Sequence, residues 1–470
     1  MDLAADRADY ADARYVRSRG ESLATRNGAV DEVETAESEG IGVRVRVGGA
    51  WGFAATRELD RAALERTLDQ ALAIASAQPR APAAPLASEP AARGRWASRW
   101  EIDPFEVPLD EKLEAITAAD QAMRGDDRIA VTSANFMAFS DERVFASTEG
   151  ALCEQRSVEC GGGITATAVG GDEVQRRSFP SSFNGSVAQG GYEAFQALGL
   201  VEAGPRIAEE AVALLTAPKC PSGRATIILD SQQVAIQVHE SVGHAVELDR
   251  VLGTEASYAG TSFVSVADVG SLRYGSDLMN VTADATTPAG LGTFGWDDEG
   301  VEGRSEPIVR HGVLYGFLSS RESAAEVGLD RSGGCMRASG FDRQPIVRMT
   351  NVNLEPGDAG TLEDLVAATD RGLLLETNRS WSIDNRRLKF QFATEIAWEI
   401  VDGERTRMLR NPSYAGVTPE FWGSLDAVCS PSEWRLWGLL NCGKGEPGQL
   451  MRVSHGASPA RFRDVQVGIA

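Results

Sequence analysis

The chain lacks any apolar run near the ~20 residues that a membrane-spanning helix requires, so no membrane segment is expected. It also lacks a surplus of positive charge. Lys and Arg number 46 against 68 Asp and Glu, a formal net charge of −22. A phosphate backbone needs a basic surface, which excludes nucleic acid as an expected partner. Cysteine is sparse, and the six present (Cys153, Cys160, Cys220, Cys335, Cys429 and Cys442) do not have the spacing of a disulfide scaffold. The opening residues MDLAADR are acidic and without an apolar core, so no signal peptide is expected either. These absences predict a cytoplasmic protein with reduced thiols. Histidine is scarce too: there are four, and two of them stand five residues apart.

What is present predicts two domains and an α+β fold. A length of 470 residues exceeds a single core. From Ala13 to Ala55 the pattern is short strands and tight turns, with Asn27-Gly28 as a hairpin signal and Val43, Val45 and Val47 in alternation. Leu64, Leu68, Ala71, Leu72 and Ala75 then place a helix over 60–76. Six prolines between 79 and 108 indicate a linker or extended surface crossing rather than a packed element. A second helix, carried by Leu109, Leu113, Ile116 and Met123, precedes strands from Ile129 to about Phe179. A shift of 122 lays Gly28-Ala29 on Gly150-Ala151 and Val47-Gly48-Gly49 on Val169-Gly170-Gly171. Residues 1–217 are therefore predicted as an N-terminal α+β domain with an internal strand-and-helix repeat, halves 1–78 and 105–217. A helix over 205–217, with Pro205 in its first turn, closes it. Residues 224–470 are predicted as a mainly antiparallel β domain carrying one metal-binding helix. Its signals are a turn at His311-Gly312, a helix near 362–369, and a long strand burying Leu388, Phe390, Phe392, Ile396, Trp398 and Ile400. Asp402-Gly403 turns the chain back.

The metal helix is the stretch VAIQVHESVGHAVELDR, residues 234–250. Asp230 or Ser231 can cap it, and Val234, Val238, Val242 and Ala245 form its apolar stripe. The helical zinc motif H-E-x-x-H puts two imidazoles on one face, with the Glu as general base. Here the spacing is H-E-x-x-x-H. A regular α-helix would splay His239 and His244 by roughly 140°. One π-type turn would bring them together, and Gly243 can tolerate the distortion, so a bulged helix is predicted. Without a metal, the pair would be two hydrogen-bonded histidines at a helix end.

A catalytic zinc commonly takes three protein ligands and leaves one position open. Glu247 is close in sequence but reads as a supporting or solvated residue. Cys442, in NCGKGEPGQ, offers a soft thiolate, with Gly443, Gly445 and Gly448 letting the backbone fold around it. A buried small hydrophobe is the equal alternative for this cysteine. His455, in VSHGASP, fits a ligand, a donor to substrate or a plain loop residue.

The blocks HESVGHAVELDR, WDDEGVEGR (296–304), RMTNVNLEPG (348–357), SWSIDNRRLKFQF (380–392) and CGKGEPGQLMRVSHG (442–456) resemble the TldD/PmbA family of zinc metallopeptidases. Residues 21–56 match as well, so the resemblance covers nearly the whole chain. It is to the metal-bearing, TldD-type subunit, because the family's other branch lacks H-E-x-x-x-H. The resemblance implies Zn2+ held by His239, His244 and Cys442, with Glu240 catalytic as general base and then proton donor to the leaving amine. It implies hydrolysis of unstructured peptides or ribosomal peptide precursors, in a heterodimer with a PmbA/TldE-type non-metal subunit or as a homodimer. Two other readings of the residues are a Cys442/His455 hydrolase, and a peptide-binding or assembly subunit whose structural metal has His311 or His455 as a fourth ligand.

Overall fold

Asn27 and Gly28 take positive φ, 53° and 77°, and turn β1 (Tyr10–Arg26) straight back into β2 (Ala29–Val47). The computed structural model describes residues 1–79, 85–257 and 260–468. After the Gly48-Gly49 turn comes β3 (Ala50–Thr56), then α1 (Arg61–Ala77), whose cap Asp60 accepts from the Ala63 amide at 2.9 Å. Leu68, Ala71, Leu72 and Ala75 of α1 pack on Val43, Val45 and Ala54. Gly52 permits this approach, because a Cβ there would lie 2.0 Å from the Ala71 carbonyl oxygen.

The stretch 79–108 is more than a crossing. Residues 80–84 of it lie outside the described residues, but β4 (Arg93–Ala97) pairs in parallel with the start of a strand of the N-terminal sheet, at Leu152–Arg156. Following α2 (Leu109–Ala122), the chain forms β5 (Ile129–Ser147), β6 (Leu152–Gly170), β7 (Glu173–Phe179) and the short β8 (Ser186–Gln189). The sheet order is β3-β2-β1-β5-β6, with β7 also paired to β6. Two three-stranded meanders of like strand order thus meet antiparallel at β1 and β5. The short α3 (Tyr192–Gln196) and α4 (Leu200–Leu214) follow. The latter helix starts five residues before the expected Pro205, which lies inside it. The buried stripe Leu200, Ile207, Ala208, Ala211 and Val212 outweighs the one backbone bond that the proline removes.

β9 (Gly223–Leu229) leads into α5 (Ser231–Val238) and, past a turn described below, α6 (Leu248–Leu252). A four-stranded sheet comprises β10 (Val281–Asp284), β11 (Ser305–Arg310), β12 (Val313–Leu314) and β15 (Val352–Leu354); β13 (Met336–Arg337) pairs with β14 (Ile346–Val347). Two short helices, α7 (Arg321–Glu326) and α8 (Leu362–Ala367), flank this region. A closed barrel then forms from β16 (Arg371–Ile383), β9, β23 (Ala460–Val467), β19 (Ser413–Val417) and β17 (Lys389–Val401), the ring closing through the β16–β17 pair. β18 (Glu404–Leu409) and β20 (Leu425–Val428) extend it, and α9 (Thr418–Gly423) lies between them in sequence. The hairpin of β21 (Arg435–Lys444) and β22 (Gln449–Ala457) covers α5. Every residue of α5 is buried, as expected of a helix enclosed on all sides.

The face of the N-terminal sheet away from α1 is also buried. Arg44 and Arg46, which strand alternation would put in water, are 2% and 7% exposed. The WDDEG block explains the burial of Arg44, while Arg46 faces Glu322 of α7 at 3.8 Å. Glu299 pairs with Arg44 at 3.2 Å, and Asp298 pairs with Arg143 at 3.0 Å and Arg14 at 3.3 Å. Asp297 accepts the amides of Glu299, Val301 and Met336. Asp298→Ala would take the carboxylate from the buried Arg14 guanidinium and from the half-buried Arg143. It should destabilise the chain by about 3 kcal/mol in denaturant unfolding; an unchanged midpoint would show that this loop does not fasten the sheet.

Candidate metal centre

Asp230 caps α5 by accepting from the Gln233 amide at 2.7 Å. At its other end the helix widens. The His244 amide bonds the His239 carbonyl, five residues back, so His239–Gly243 form a single π turn, and a 3₁₀ turn (His244–Val246) follows. The two imidazoles that a regular helix would separate now lie with ring centroids 4.7 Å apart. Side chains stabilise the widened turn. Ser241 Oγ donates to the Gln237 carbonyl (2.6 Å), and Tyr274 Oη donates to the Ser241 carbonyl (2.6 Å). Trp422 Nε1 donates to Ser241 Oγ at 2.9 Å. Gly243 serves packing rather than backbone freedom. Its φ of −50° and ψ of −56° are open to any residue, but a Cβ would sit 2.3 Å from Met349 Sδ.

Cys442 reaches the imidazoles from β21, just past a bulge between Leu439 and Cys442. The expected glycine-wrapped loop is absent. Only Gly445, of the three nearby glycines, has positive φ, and the cysteine sits in a strand. Donor atoms of His239, His244 and Cys442 all lie within 4.8 Å of one another, and each residue is buried. The gap from Cys442 Sγ to His244 Nε2 is 3.6 Å. Tetrahedral zinc, with bonds of about 2.0–2.1 Å to nitrogen and 2.3 Å to sulfur, separates such a pair by about 3.6 Å. The donor set, N₂S, fits zinc.

Each donor is held from behind. His244 Nδ1 donates to Glu247 Oε2 at 3.0 Å, leaving Nε2 bare toward the sulfur. Glu247 is therefore not solvated; it is fully buried, with Lys444 Nζ 3.5 Å and Arg250 Nε 3.6 Å away. Burial pushes its carboxyl upward, but Lys444 and His244 outweigh this and hold it well below the usual range. His239 Nδ1 lies 2.7 Å from His455 Nε2, and His455 Nδ1 is 2.8 Å from the Val352 carbonyl. Burial lowers His239 to about 4 and also lowers His244 and His455, so all three rings are neutral near pH 7. At Cys442 burial opposes the thiolate, the Arg348 guanidinium favours it, and the net shift is downward. Arg348 also grips the hairpin, donating to the carbonyls of Cys442 and Gln449.

Glu240 borders the cluster, with Oε1 4.0 Å from His239 Nε2; its other oxygen accepts from Arg387 Nη1 at 2.5 Å. Sequence reasoning missed Arg387, Arg348 and Lys444. Their signal lay in the blocks SIDNRR, RMTNVN and CGKGEPG, where nothing local says what the cations face. The other readings are not assembled. Cys442 neighbours His244 rather than His455, both of whose ring nitrogens are engaged elsewhere. His311 lies on the exposed β11–β12 turn, with φ 46°.

Residues 222–469 match the family model described as the PmbA/TldA metallopeptidase C-terminal domain. Residues 102–217 match the central domain of that family and residues 11–75 its domain 1. A protein of Methanothermobacter thermautotrophicus named a metalloprotease is 31% identical over 463 residues, 98% of this chain and 96% of the relative. A Saccharolobus solfataricus protein named zinc metalloprotease TldD homolog is 26% identical over 248 residues, 53% of this chain and 52% of the relative. Among solved structures, TldE of Thermococcus kodakarensis aligns over 100% of this chain and 99% of its own, with a TM-score of 0.76 and 16% identity. At that identity the likeness speaks to the fold alone.

Proposed function

The chain belongs to the PmbA/TldD family of metallopeptidases, and from that premise we propose that it is a metal-bearing, TldD-type subunit: a zinc peptidase whose ligands are His239, His244 and Cys442 and whose general base is Glu240. The observation that carries the reading is the convergence of three buried donors, within 4.8 Å, beside a carboxylate.

Bound zinc would supply Lewis-acid activation of a water and of the scissile carbonyl. The rest falls to the protein. Glu240 accepts the proton of the attacking water at the oxygen that faces His239 and returns it to the leaving amine. Arg387 holds the carboxylate in position through its second oxygen. Glu247 takes the Nδ1 hydrogen of His244, which keeps that ring's Nε2 lone pair turned inward. The substrate class we assign is an unstructured peptide or ribosomal peptide precursor, bound in a cleft of residues 224–470. The partner is a TldE-type subunit or a second copy, in the cytoplasm. No helix among the described residues is long and apolar enough to cross a membrane.

The test is digestion of a mixture of unstructured peptides by this chain, alone and with a TldE-type subunit, with and without a chelator. Hydrolysis abolished by the chelator and restored by zinc is expected. Cleavage that persists in a chain shown to be metal-free would refute the assignment.

A further inference from the structure

We propose that His455 is a positioning residue for His239: it fixes the ring of His239 in the form that carries hydrogen on Nδ1, so that the Nε2 lone pair faces Glu240 and the metal site. The inference rests on reading His239 as a ligand and extends it to a residue outside the donor set. Hydrogen-bond chemistry alone orders the chain. A carbonyl oxygen only accepts, so the 2.8 Å contact with Val352 puts a hydrogen on His455 Nδ1. A neutral imidazole has one such hydrogen. His455 is 1% exposed and forms no ion pair with a carboxylate among the described residues, so nothing supports a second proton. Its Nε2 is therefore an acceptor, and at 2.7 Å its donor is His239 Nδ1. The two rings meet nearly at right angles, 81°, with centroids 4.8 Å apart.

The chain on either side of His455 is clamped so that this ring cannot turn away. Ser454 forms a backbone bridge with Asn351, and its Oγ accepts from the Leu291 amide at 2.9 Å. The Gly456 amide donates to Asn353 Oδ1 at 2.7 Å. A Cβ on Gly456 would sit 1.7 Å from the Trp434 ring, so the glycine lets that indole close over the strand. The block RMTNVN thereby gains a role. Met349 packs against the π turn, while Asn351, Val352 and Asn353 hold the backbone and ring of residues 454–456. The two imidazoles end in the same hydrogen pattern by different means, His244 through the carboxylate of Glu247 and His239 through a neutral ring.

The test uses the full chain and cobalt(II), read by its thiolate charge-transfer and d–d absorption. His455→Leu should weaken cobalt binding by about 10–100-fold, while His455→Gln, which keeps an acceptor near the Nε2 position, should stay within about threefold of wild type. Wild-type affinity in His455→Leu overturns the inference. No cobalt bound by the wild-type chain overturns the ligand reading instead. A second arm needs no variant: ¹⁵N-histidine spectra of the metal-free chain at neutral pH. His239 and His455 should each carry hydrogen on Nδ1. If either does not, the positioning role fails, whether or not His455→Leu folds.

Discussion

Glu240→Gln is expected to cut peptide hydrolysis by about 10³-fold while leaving metal content unchanged. The substitution keeps the shape of the side chain and removes only its capacity to take a proton. Glu240 belongs to the π turn but is not one of the three convergent donors, so the ligands should hold their geometry. Loss of its charge leaves Arg387 Nη1 facing an amide, and a thermal melt run in parallel separates any stability effect from the catalytic one. The measurement is kcat/KM on one peptide together with zinc per chain. Turnover within about tenfold of wild type would remove Glu240 as the base.

Cys442→Ser should lower zinc affinity by at least about 100-fold, more than loss of an outer hydrogen-bond partner costs. The sulfur is the only soft donor of the three, and Arg348 favours its thiolate form. An alcohol of nearly the same size stays protonated in that setting. Zinc counted after dialysis against a weak chelator is the check, with wild-type chain treated alongside. Full occupancy in the serine variant would exclude Cys442 from the ligand set. Because Arg348 binds the backbone carbonyl of residue 442 rather than its side chain, the hairpin should keep its place and the variant should fold.

How legible the site was differs from residue to residue. His239 and His244 declared themselves by scarcity and spacing, and the spacing foretold the π turn that the structure contains. The spacing could not say that Ser241, Tyr274 and Trp422 would satisfy the groups that turn frees. Cys442 stood evenly between thiolate ligand and buried small hydrophobe until its resemblance to a family motif was considered, and all six cysteines are buried. Glu247 was left open between supporting residue and solvated one, since burial is invisible in a heptapeptide. His455 was left open among ligand, donor to substrate and loop residue; the structure sets it in β22, 2.7 Å from a ring 216 residues away that no local signal could pair with it. In the N-terminal half the glycine turns and the α1 stripe were read correctly, whereas Arg44 is buried by a loop some 255 residues later.

The sequence by itself determined the local geometry: the I′ turns at Asn27-Gly28, His311-Gly312 and Asp402-Gly403, the capped entry to α5, and the five-residue interval that needs a wider turn. Those follow from backbone sterics and hydrogen bonds within a few residues. Only the tertiary structure set Cys442, Glu247 and a third imidazole, His455, around the two rings. The β21–β22 hairpin, a two-stranded sheet folded over α5, brings Cys442 within 3.6 Å of a ring 198 residues earlier in the chain, and a contact over that distance is set by the packing of whole elements rather than by any neighbouring residue.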